Sequence, residues 1–90
     1  MALVFGKIAL SKPFAEWQAV FLAHAAARRA AGIEDVMHAP VIGEQAVVYV
    51  VRTADPRAVH DMTFSPEARA VLEASGHVPG SERYLVCDEV

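Results

Sequence analysis

The sequence has 90 residues, 54% of them hydrophobic and 21% charged, with a formal net charge of −3; this is the profile of one small globular domain rich in apolar residues. The negative balance offers no attraction to phosphate backbones or anionic lipid, so neither nucleic acid nor membrane is an expected partner, and no apolar run reaches the roughly 20 residues that cross a bilayer. A lone Cys87 cannot close an internal disulfide and the N-terminus lacks the basic region and cleavage site of a secretory leader, so a cytoplasmic location is expected, with Cys87 as a small buried hydrophobe.

Residues 2–10 read as the first strand, with Leu3, Phe5 and Ala9 on one face, Val4, Ile8 and Leu10 on the other, and Lys7 as the sole charge. The period then changes. Phe14, Trp17, Phe21 and Ala25 recur at helical spacing, and residues 13–31 are expected to form one helix about 28 Å long, capped by Ser11 or Lys12, opened by Pro13 and closed at Gly32. A strand over 36–42 is placed at a sheet edge because Pro40 interrupts its ladder. Gly43 and Glu44 suit a hairpin turn into the strand Ala46–Thr53. Asp55 and Pro56 start a short helix to about Met62, Ser65 and Pro66 start a second that Gly76 ends, and residues 82–89 form the last strand.

This order, βαββαβ, predicts an α+β ferredoxin-like domain over residues 1–90, a four-stranded antiparallel sheet with both helical units on one face. In Ala46–Thr53, Val47, Tyr49 and Val51 face one way and Ala46, Val48 and Val50 the other. One helical layer cannot cover both, so a homodimer joined through the open sheet face, closing a dimeric α+β barrel, is expected.

The stretches PFAEWQAVF and RRAAGI in the first helix and AVHDMTFSPEARAVLEASG in the second helical unit resemble the dimeric α+β barrel superfamily. That superfamily includes antibiotic-biosynthesis and haem-degrading monooxygenases and muconolactone isomerases, and the chain is most similar to an uncharacterised bacterial branch. The resemblance implies a small barrel that binds an apolar or aromatic molecule, with cofactor-independent monooxygenase or isomerase chemistry. It also puts His60 near the haem-ligating histidine of the haem-degrading branch. The chain departs from those families in having no asparagine and in carrying Trp17 on the first helix, so no haem and no other cofactor is expected.

On a helical wheel His24 and Arg28 fall about 20° to either side of Trp17. Two readings follow. In the first, His24 exchanges a proton and Arg28 holds a carboxylate or enolate oxygen, with Phe14, Trp17 and Phe21 as the aromatic ligand-binding wall and His60 as a further catalytic candidate. In the second, His24 is a satisfied core or rim histidine, Arg28 snorkels outward, and the protein is a non-catalytic ligand-binding or regulatory protein. The four histidines lack C-x-x-C or H-E-x-x-H spacing, so no metal site is expected. The strand AVVYVVRT lacks the paired aromatics of RNA-recognition modules.

Overall fold

A computed structural model describes all residues, Met1–Val90. The elements are β1 (Ala2–Ala9), α1 (Phe14–Ala23), α2 (Ala25–Ala30), β2 (Ile33–Pro40), β3 (Ala46–Thr53), α3 (Arg57–Phe64), a 3-10 turn (Pro66–Ala68), α4 (Arg69–Ser75) and β4 (Arg83–Asp88). The sheet is antiparallel throughout with the order β2-β3-β1-β4. This is the ferredoxin-like arrangement that the order of elements predicts, with β2 at an edge.

Alternation decides which residues face the helices. Val4 pairs with Val51 and Ile8 with Val47, and these four, with Trp17, Ile33, Tyr49 and Val59, belong to the buried core. Val47 has no exposed surface at all. The opposite face carries Phe5 between Val50 and Leu85, with Met37 beside Val50 on the next strand. Nothing in the chain covers it: Leu85 is 69% exposed. Cys87 lies exposed on this face, not buried as expected, because it stands on an edge strand whose outer side no helix reaches.

Charges bound the apolar field. At one end Lys7 meets Glu44 at 2.8 Å. At the other, Arg52 on β3 reaches Glu34 on β2 at 3.2 Å and Glu89, just past β4, at 2.8 Å, so one guanidinium ties the two edge strands together.

Three local expectations need correction. The helix expected over 13–31 breaks at His24, where φ is −103° and ψ 11°. The His24 amide bonds Phe21 O at 3.2 Å, while its own ring Nδ1 takes Val20 O at 2.9 Å. The side chain thus claims the carbonyl that the next α-helical bond needs, which is how a polar side chain bends a helix. Neither Ser11 nor Lys12 caps α1: Ser11 Oγ donates to Gly76 O and Lys12 Nζ to Ala74 O, stitching β1 to the end of α4, and the Pro13 carbonyl accepts the first amides instead. The strand expected over 36–42 runs over Ile33–Pro40, because Gly32 at φ 79° turns α2 directly into it. A bulge between Asp35 and Met37 shifts its register, so that Ile33 and His38 both reach the inner face despite their odd spacing.

The two faces of β3 give opposite expectations. Val51→Lys should abolish cooperative folding, since it puts an unpaired charge in the core. Val50→Lys should leave the fold intact and lower the melting temperature of the single chain by only a few degrees. Thermal melts followed by circular dichroism check both.

Candidate functional site

Between the inner face of the sheet and the helices lies a cavity of about 510 Å³, lined by 23 residues of which 15 are hydrophobic. Its floor is Ile8, Tyr49, Val51 and Tyr84; Trp17, Val20, Phe21, His24 and Arg28 form one wall, and Val59, Met62, Val71 and Leu72 form the other. Ala31, Asp61 and Glu67 are the exposed residues of the lining and make its rim.

The floor depends on a glycine. A Cβ at Gly6 would stand 2.6 Å from Tyr49 Cζ and 2.9 Å from its hydroxyl, so the Tyr49 ring lies across the β1 backbone in space that only glycine leaves free. There its hydroxyl donates to Tyr84 Oη at 3.1 Å, the two rings meeting edge to face at 6.4 Å. Burial, then the adjacent Tyr84 and its hydrogen bond, push the Tyr49 hydroxyl well above the usual phenol range. Tyr49 therefore stays a neutral donor.

Most of the sequence-predicted residues meet here. Trp17 and Phe21 stack at 4.5 Å and, with His24 and Arg28, line the cavity. Phe14 stands behind Trp17 at 5.8 Å and outside the lining. His60 does not join them: its side chain is 70% exposed, beside Asp61 at 3.7 Å and against Phe64. Arg28 is engaged within the chain. Its Nε and Nη2 donate to the two Asp35 oxygens at 2.8 Å each, and its guanidinium lies 3.5 Å from the Phe21 ring centre. That leaves Nη1 for a ligand. His24 donates a hydrogen bond from Nδ1 to the Val20 carbonyl, so Nε2 of its neutral ring is left as an acceptor.

His38, Tyr49, Tyr84, His77 and Glu82 escaped the sequence reading as site residues. His38 packs among Phe14, Trp17 and Phe21 and bonds Gln18 at 3.2 Å; the bulge in β2 that turns it inward has no sequence signal. Tyr49 and Tyr84 were legible as one inner face of two strands, had the pairing through Gly6 been known. His77 follows a left-handed Gly76 and its ring is bonded to Glu82, five residues on, which a loop position conceals. Burial pushes the Glu82 carboxyl up, but the hydrogen bond from His77 and those from the backbone amides of Glu82 and Gly80 help to outweigh it and hold the group below its usual range. No cluster of three or more metal-ligating side chains forms.

Similar folds are found among solved structures. A Caulobacter crescentus protein assigned as an antibiotic biosynthesis monooxygenase superposes with a TM-score of 0.69 at 20% identity, covering 99% of this chain and 89% of its own. The chain has the fold of the antibiotic-biosynthesis-monooxygenase-like proteins. A Deinococcus radiodurans protein with the same assignment gives 0.64 at 12% identity, covering 100% and 93%, and SnoaB, a cofactor-independent oxygenase from Streptomyces nogalater, gives 0.55 at 16%, covering 99% and 92%. No protein-family model and no curated protein matches the sequence.

Two measurements test the floor and its acid. Gly6→Ala should displace Tyr49 and cost about 1–3 kcal/mol by overpacking, a drop on the order of 5–20 °C in melting temperature, and the same substitution should cost less when made in a Tyr49→Ala background. Because the folded Glu82 carboxyl titrates below its ordinary 4.5, its contribution to stability is full above that value and is lost as the pH falls through the lower folded value. Glu82→Gln should accordingly flatten the acid limb of the stability profile below about pH 4.5.

Proposed function

We propose that the protein is a homodimer that binds one small, neutral, apolar or aromatic molecule in the cavity of each subunit, with cofactor-independent oxygenase or isomerase chemistry as its catalytic form. The cavity carries this reading. Its 510 Å³ and predominantly hydrophobic lining lie in the range of small-molecule sites, and a few polar groups converge on it. Trp17 and Phe21 offer a stacking wall, and His24 Nε2 and Arg28 Nη1 are the free polar positions beside it. The preference for a neutral ligand follows from charge. Asp35 already neutralises Arg28, and the exposed rim carries Asp61 and Glu67, so an anionic ligand gains little and meets two carboxylates on its way in.

The dimer is supported by the open sheet face. Phe5, Met37 and Leu85 leave an exposed apolar surface of the kind that marks an interaction site when contiguous, and its charged borders leave the centre free for a second copy of the same face. The SnoaB fold match and the proton-exchanging groups support the catalytic form. The engagement of Arg28 by Asp35 and of His24 by Val20 favours a non-catalytic binding or regulatory role as the second reading. A cytoplasmic location belongs to either.

Sedimentation should give a dimer at micromolar concentration, and Val50→Lys a folded monomer; a wild-type monomer would overturn the assembly. Aromatic phenols and quinones should quench the single Trp17 and raise the melting temperature, whereas benzoates should do neither. Oxygen consumption or product formation with a ligand so found separates the enzyme from the binder. Arg28→Ala should cost about 1–2 kcal/mol of stability, the worth of a partly buried ion pair with a cation–π contact, and change the affinity for neutral ligands less than about threefold, under the roughly 1.4 kcal/mol that a tenfold change would need.

A further inference from the structure

His77 is the one buried histidine, its side chain 3% exposed, and it borders the cavity. Its backbone is fixed by a bridge to Leu10 and by hydrogen bonds to Leu72 O and Ser75 Oγ. Ring Nε2 meets Glu82 Oε1 at 2.5 Å. An ionised carboxylate accepts and cannot donate, so the proton of the neutral imidazole sits on Nε2 and the lone pair on Nδ1. Nδ1 makes no hydrogen bond in the chain, yet no enclosed side-chain nitrogen or oxygen is left without a partner. Nδ1 therefore keeps accessible surface, and the space beside this ring is the cavity.

A second free group lies nearby. Glu82 precedes β4, and Tyr84, two residues on, shares its inner side about 7 Å along the strand. Tyr49 donates to Tyr84, which leaves the Tyr84 hydroxyl proton unspent on the cavity floor. A basic nitrogen backed by a carboxylate and an O–H donor with no acceptor thus open onto one apolar chamber. His24, by contrast, has a backbone carbonyl behind it and no carboxylate to face a positive ring.

We propose that His77 Nδ1 is the proton acceptor of this cavity, with Glu82 as its positioning residue and the Tyr84 hydroxyl as hydrogen-bond donor to the ligand oxygen that loses the proton. The proposal rests on the ligand-binding reading of the cavity and assigns the ligand a chemistry: a neutral, weakly acidic hydroxyl compound, a phenol or an enol. The ligand O–H bond breaks and its electron pair stays on oxygen, where Tyr84 donates to it. The N–H bond forms at Nδ1, and the imidazolium so made has the Glu82 carboxylate against its other nitrogen. No oxidant or cofactor enters the step. The charge pair is met by groups already in place, the Glu82 carboxylate and the Tyr84 hydroxyl, which need no reorganisation.

The test pairs 4-nitrophenol, whose ionisation is visible in its absorbance, with 4-nitroanisole, which has no proton to give. Both should quench Trp17. At a pH where free 4-nitrophenol is mostly neutral, the bound probe should show the phenolate band, and it should bind about 10- to 100-fold more tightly than the anisole, the worth of a hydrogen bond to a charged group. His77→Gln should remove the band and that preference together while leaving anisole affinity unchanged, and Glu82→Gln should weaken the band with the anisole again unaffected. A purely structural pair would alter both probes alike. If His77→Gln does not fold, nitrogen-15 spectra of the wild-type protein decide: Nδ1 should move from the unprotonated to the protonated position when 4-nitrophenol is added and stay in place with the anisole. Quenching without a phenolate band, or a band that survives His77→Gln, overturns the dyad and leaves the binding cavity standing. Trp17 emission unmoved by either probe brings down the cavity reading and the dyad with it.

Discussion

A strand sends alternate side chains to opposite faces, and β3 is apolar on both, so no fold of this chain alone can bury it completely. Val47, Tyr49 and Val51 take the helical layer; Val48 and Val50 do not. The helices are few and short, and a domain of this size covers only about 60 to 65% of its unfolded surface. What the helices leave uncovered on the outer face invites a second copy. What they leave unfilled on the inner face is the cavity. The cavity and the bare outer face are thus two results of the same shortage of covering surface.

The inner face shows how a small chain keeps a cavity open. Large side chains around it are held in place by directed contacts instead of filling the space: Tyr49 by the gap at Gly6 and by Tyr84, Phe21 between Trp17 and the Arg28 guanidinium, and His24 by the carbonyl of its own helix. Each fixes an orientation that would otherwise collapse inward, since apolar linings tend to close when their side chains are free to move. The Arg28–Asp35 pair serves this purpose as much as stability, because it spans from α2 to β2 on one side of the chamber.

Element order, strand faces and the aromatic wall were legible because they rest on periodicity, which a sequence displays directly: Trp17, Phe21, His24 and Arg28 fall on one helical stripe and do line one cavity. The illegible parts depend on a single residue competing with its own backbone or on contacts remote in sequence. The ring of His24 takes a carbonyl and divides a helix; a bulge at Val36 turns His38 inward; His77 finds Glu82 only because Leu10 bridges its backbone. His60 illustrates the opposite error. A resemblance placed it in the site, but its turn of α3 faces solvent, with Val59 next to it taking the buried position.

The Arg52 bridge has a consequence for how far association runs. Sheets grow along their edges when an outer strand offers a flat, uncharged ladder to a neighbour. Here β2 carries Glu34 and Asp35, a bulge and Pro40, and β4 is followed at once by Glu89. Arg52 draws Glu34 and Glu89 over the outer face from both sides. Edge-on addition would have to break these ion pairs and straighten the bulge, whereas addition through the faces leaves both intact. In a chain more than half hydrophobic, both edges of the sheet are thereby guarded against the open-ended, fibre-like growth that bare edges permit.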